Sequence, residues 1–190
     1  MIRAFVHVAL LVLLTLLTQL GGIAYLVTLI AARAMKKPRR YKALVLPACF
    51  LASYTALSIF SAWIAPQFGR VPLPCFASET SHLAMQSPVF CALNRQYVTP
   101  ELKTLALEMA AHVNKEFPGT TVVALDANFP FFQGFPLMPH LSHDDGRKLD
   151  LAFFYQSRDG EYLDAATDSP VGYWAFEPPA KGAMLPCAGQ

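Results

Sequence analysis

Residues 33–42 read RAMKKPRRYK, and the six cations in that run, Arg33, Lys36, Lys37, Arg39, Arg40 and Lys42, separate two stretches without formal charge, 4–32 and 43–66. At about 1.5 Å of rise per residue the first stretch makes roughly 40 Å of helix, more than the ~30 Å hydrocarbon core of a bilayer. It is also longer than the apolar region of a secretory signal, about 7 to 15 residues. The second stretch reaches Trp63 near its far end, where an indole sits among headgroups. The chain is therefore expected to open with a transmembrane helical hairpin, with helices over about 4–32 and 43–66 and a basic loop over 33–42. Gly21 and Gly22 are read mainly as small residues tolerated in an apolar helix, with close helix approach as the other reading. Pro47 falls near the start of the second helix, where a lost donor costs least. Cys49, within that helix, is read as a packing residue.

Outward from the hairpin the charge balance reverses. Residues 1–66 hold seven cations and no acid, while residues 67–190 hold the other eight cations and all thirteen acids, so the net +2 is a sum of +7 and −5. Nucleic-acid binding is set aside, because the cations cluster in one short run and not on a folded surface. Positive charge in a short loop is retained in the cytoplasm. That places both termini and residues 67–190 on the periplasmic or extracellular side of the inner (cytoplasmic) membrane, with the bilayer itself as one partner.

Residues 67–98, punctuated by Pro72, Pro74 and Pro88, are expected as a linker in which Cys75 and Cys91 form a disulfide, as an oxidising compartment permits. Residues 99–190 are expected as an α+β domain. Its helix opens with Thr99 as N-cap, Pro100 at the first position and Glu101 in the first turn. Leu102, Leu105, Met109, Val113 and Phe117 form its apolar stripe, and His112 beside them is read as a surface residue. Thr120 to Leu125 reads as a strand, and the aromatic-rich connection 129–139 as core packing. GYWAFEPP over 172–179 reads as another strand.

The chemistry concentrates in HLSHDDGRKLDLAFFY, 140–155. Asp144, Asp145 and Gly146 make a turn that folds His143 back toward a strand in which Leu149, Leu151 and Phe153 share one face. Asp150 lies on the other face with Ala152 and Phe154, and a carboxylate there is costly unless paired or bound to metal. Imidazole and carboxylate suit zinc, whose catalytic sites take three protein ligands.

Ser142, His143, Gly146 and Asp150 match the Ser-His-x-x-Gly-x-x-x-Asp signature, so the chain resembles the zinc D-alanyl-D-alanine peptidases and, within them, the penicillin-insensitive murein endopeptidases. The resemblance covers about twenty residues. It implies that His143 and Asp150 are zinc ligands, that Ser142 and Gly146 shape the turn, and that the reaction is metal-assisted hydrolysis of peptidoglycan peptides in the cell wall. Such enzymes also use a downstream His-x-His segment for a further ligand and a base, and no histidine follows His143. The expectation is therefore a fragment or an inactive relative, with the tail EPPAKGAMLPCAGQ and the unmatched Cys187 favouring a fragment and the catalytic residues unassigned. His140 is a secondary candidate for an additional ligand, set against its place in a loop after Pro139. The alternative is a non-catalytic membrane protein whose outer domain binds cell-wall peptides or a protein partner.

Overall fold

A computed structural model describes residues 2–36, 38–167, 169 and 172. The expected strand at 172–179 and Cys187 lie outside the described residues. The chain is a mixture of helices and small sheets, as an α+β assignment requires.

The first apolar stretch is not one helix. It is two, α1 (Ile2–Thr18) and α2 (Gly21–Ala34), broken at Gln19 and Leu20, and Gln19 takes a positive φ of 62°. The helices run antiparallel: His7 Nδ1 lies 2.7 Å from Tyr25 Oη, eighteen residues later. The break has local causes. The Thr15 and Thr18 hydroxyls donate back to the Leu11 and Leu14 carbonyls, and Thr18 Oγ1 then accepts the Gly21 N–H at 2.8 Å, capping the start of α2. A Cβ on Gly22 would lie 2.0 Å from Thr15 Oγ1 and 3.1 Å from the Leu11 carbonyl. The close-approach reading of this glycine is thus the one realised, and the N-terminal end of α1 lies toward the basic end of α2. Replacing Gly22 with Leu is expected to cost at least about 1–3 kcal/mol through overpacking, seen as a lowered thermal unfolding midpoint in detergent.

After the basic turn comes α3 (Arg39–Ile64), continued by a 3₁₀ turn (Ala65–Phe68). Among the described residues one helix, Arg40–Phe68, is long and apolar enough to cross a membrane by length and composition, with mean hydropathy 1.9 and none of its apolar window buried inside the protein.

The rest of the chain wraps one core. Strand β1 (Val71–Pro72) pairs antiparallel with β3 (Tyr97–Val98), and β2 (Leu83–Met85) pairs parallel with β4 (Val122–Ala124). Between them lie α4 (Pro88–Ala92) and α5 (Pro100–Glu116), and a hairpin of β5 (Tyr155–Gln156) and β6 (Tyr162–Leu163) follows. Residues 67–98 are no free linker, since Leu73, Leu83, Met85, Phe90 and Val98 share the core with Ala106, Ala110, Val122 and Ala124. Cys75 and Cys91 form the expected disulfide, with Cα atoms 6.2 Å apart. Replacing both cysteines with Ser should remove about 3 kcal/mol for a loop of this size, read as the shift in unfolding midpoint that reductant produces in the wild type.

Thr99 caps α5 as anticipated, accepting the Leu102 N–H. The buried face of α5 is centred on Ala106 and Ala110, whereas Leu105 and Phe117 are exposed. Small residues let the helix approach the sheet closely. His112 is exposed.

The helical layer and the core are joined by buried polar contacts along one short segment. Asn94, fully buried, donates from Nδ2 toward Tyr54 Oη (3.0 Å), Ser58 Oγ (3.2 Å) and the Thr18 carbonyl (3.4 Å). Tyr54 Oη donates to the Ala92 carbonyl at 2.6 Å, and Tyr97 Oη shares a 2.7 Å bond with Ser61 Oγ.

Candidate metal centre

Beyond β4 the chain continues through Asp126, Ala127 and Asn128, loops out over 129–139, turns at 142–146 and returns alongside β4. The return is held by backbone bonds, Leu125 N–H to the Asp150 carbonyl, Asp150 N–H to the Asp126 carbonyl and Ala152 N–H to the Val123 carbonyl. Only an isolated bridge, Ala124 to Leu151, stands where a longer strand was expected. The expected apolar face is not formed either: Leu149 packs on the core, while Phe153 is 82% exposed.

The turn is fastened from three directions. The Gly146 carbonyl accepts the Thr99 N–H, its N–H donates to Asn128 Oδ1 at 3.0 Å, and the Arg70 guanidinium binds the Asp145 carbonyl and, at 3.3 Å, that of Asp144. Gly146 has φ 78°, a left-handed conformation suited to glycine, and any Cβ there would strike the Arg70 guanidinium. The Arg147 N–H donates to Asp145 Oδ1 at 2.9 Å and is the main cause holding that carboxyl below its ordinary range. Burial lowers the Arg70 pKa, against the attraction of Asp145 and Asp144. Ser142 is exposed, and its carbonyl accepts Lys148 Nζ.

This fastening brings together His140, His143 and Asp150, each offering one donor atom within 4.8 Å of the others. His143, 5% exposed, places Nδ1 2.8 Å from the Ala127 carbonyl and Nε2 3.1 Å from Asp150 Oδ1. A carbonyl only accepts, so Nδ1 carries a proton, and Nε2 faces a carboxylate oxygen, beside which an unprotonated Nε2 would be a second acceptor. Two acceptors at that distance need a cation between them, either a proton or a metal. An imidazole held at one nitrogen by a backbone carbonyl and directed at a cation by the other is the usual setting of a metal-bound histidine. His140 Nδ1 lies 2.9 Å from Asp150 Oδ2.

Beside His140 lies Asp126, 2% exposed, with Oδ2 3.6 Å from the same Nδ1 that meets Asp150. Arg95 grips the same carboxylate with Nε and Nη2, at 2.6 and 2.5 Å, and donates Nη1 to the Met138 carbonyl. Neither Arg95 nor Asp126 was singled out from the sequence. The signal was present: Asp126 closes the apolar run VVAL, and Arg95 follows twelve residues without charge, 83–94.

A groove of about 540 Å³ adjoins His143 and Asp150. Leu102, Leu105 and Met109 of α5 line one wall, and Arg147 and Lys148 belong to the other. The two sides therefore differ in character, one apolar and one cationic. Searches of protein-family models, curated proteins and solved structures find no match to this chain.

Proposed function

We propose that this chain is a membrane-anchored zinc hydrolase acting on peptide amides of peptidoglycan, with His140, His143 and Asp150 as its metal donors. The observation that carries the reading is the convergence of one donor atom each from His140, His143 and Asp150 within 4.8 Å, with His143 held at Nδ1 by the Ala127 carbonyl. Two nitrogens and a carboxylate oxygen form a donor set that zinc accepts. His140 stands in for the downstream histidine that zinc D-alanyl-D-alanine peptidases use, so no later segment is required for three ligands. Zinc bound there would polarise an amide carbonyl and lower the pKa of its water.

The chain's own residues do the positioning. Ala127 fixes the His143 ring, Arg95 holds the Asp126 carboxylate beside His140 and the Met138 carbonyl just before it, and Arg70 with Asn128 holds the turn between His140 and Asp150 that carries His143. Arg147 and Lys148 give the groove a cationic wall for a peptide carboxylate, and α5 gives an apolar wall for aliphatic side chains.

In the same reading α3 spans the membrane, the basic run 33–42 stays in the cytoplasm and the α+β part lies outside, where the Cys75–Cys91 bond is stable. With α1 and α2 antiparallel, the N-terminus in this reading lies on the cytoplasmic side, in place of the outward N-terminus expected from one continuous helix. Zinc-loaded full-length protein in detergent should hydrolyse a peptide ending in D-alanyl-D-alanine or a cross-linked wall peptide. Chelation and His143→Ala should each abolish the reaction. If zinc-loaded protein leaves both substrates intact, the hydrolase reading fails.

A further inference from the structure

The loop that leads to the metal donors carries a cluster of aromatics that the proposed chemistry does not use. The Phe68 ring lies 5.0 Å from Phe131 and 5.8 Å from Phe132, centroid to centroid. Phe132 is 61% exposed and sits at φ 57°, a left-handed conformation that a bulky residue keeps only when its surroundings hold it there. The holding group is Gln19 at the α1–α2 break. Its Oε1 accepts the Phe131 N–H at 2.9 Å and its Nε2 donates to the Phe131 carbonyl at 2.6 Å. A buried side chain from the helical hairpin thus clamps both backbone groups of one residue in the outer loop.

The depth of this cluster can be bracketed along α3. A hydrocarbon layer of ~30 Å, measured from Arg40 at about 1.5 Å per residue, closes near Phe60, and the exposed Trp63 follows. On the inner side Gln19 adjoins Thr18, whose carbonyl meets Asn94 at the level of Tyr54 and Ser58, so the 92–94 segment of the outer part reaches below the Phe60 level and sets the inner limit. On the outer side the bracket is Phe68 itself. Between those limits lies the headgroup layer. The composition agrees, because residues 127–139 carry no charged side chain and the first acid of the whole chain is Glu79. Exposed Phe60, Trp63, Phe68 and Phe132 therefore continue the apolar band of α3 onto the outer part.

Resting on the membrane reading above, we infer that the 131–133 loop, with Phe68, is a second lipid contact, an aromatic wedge seated among phospholipid headgroups of the leaflet from which α3 emerges. His140 follows in the connection that begins with this loop, which ties the wedge to the metal donors.

Depth-dependent quenching tests this. Full-length protein is placed in phosphatidylethanolamine–phosphatidylglycerol vesicles whose acyl chains are brominated near the headgroup. One variant keeps Trp63 alone through Trp174→Phe. Another carries Phe132→Trp in a Trp63→Phe, Trp174→Phe background, and Phe68→Trp in that background is a second probe should the first not fold. The wedge requires the introduced indole to be quenched as strongly as Trp63. Quenching of Trp63 with none at 132 or 68 overturns the wedge and leaves the membrane reading standing, and protection of those indoles from aqueous iodide would then indicate a protein partner. If Trp63 is also unquenched, both readings fall.

Discussion

His143→Ala is expected to weaken zinc binding by more than about 100-fold, beyond the 10- to 100-fold that loss of an outer-shell partner costs. The ring supplies the most buried of the three donors, and its orientation is set by a single backbone carbonyl, so nothing nearby can replace it. His140→Ala and Asp150→Asn should each produce a loss of similar size if the three act as one site. Asp126→Asn should fall in the outer-shell range, because it removes a buried negative charge beside His140 without removing a donor. Competition with a chromophoric chelator on full-length protein in detergent gives all four affinities. Wild-type affinity in His143→Ala with an unchanged circular dichroism spectrum would remove the metal centre.

The second large effect is on stability. Asp126→Ala should destabilise the protein by about 3–5 kcal/mol, the cost of leaving a buried charge without its counterpart. Arg95 is the charge in question, with its side chain 10% exposed and two guanidinium nitrogens committed to Asp126. The double change Arg95→Met with Asp126→Leu should recover much of that loss, since an apolar pair of similar volume carries no desolvation cost. It should not recover zinc affinity, because the negative charge beside His140 is still missing. Thermal unfolding and chelator competition on the same samples separate the two consequences. Equal stability of the single and double variants would show that the charge pair is not what holds this part of the core.

Local chemistry was legible in the sequence wherever the cause lay within a few residues. Thr99, Pro100 and Glu101 announce α5, the β-branched run announces β4, and the uncharged stretch 43–66 announces most of α3. The break at Gln19 escaped because hydropathy averages over the two threonines and two glycines that produce it. The burial of residues 67–98 escaped because irregular segments bury side chains without a period. In α5 the stripe of large residues drew attention from Ala106 and Ala110, whose small size is what permits contact. At the site, His143, Gly146 and Asp150 were readable as one local motif. The placement of His140 depends on the course of a loop with no repeat, and the Arg95–Asp126 pair joins residues 31 positions apart.

Asn94 and Arg95 are consecutive, and they serve opposite sides: the first is buried against α1 and α3, the second grips the Asp126 carboxylate beside His140. A hydrolase on a flexible tether would sweep a volume set by its linker, with a span growing as the square root of linker length. Here one peptide unit and two side chains join the helical layer to the donor cluster, so under the proposed function the height of the cut bond above the anchor would be a constant of the fold.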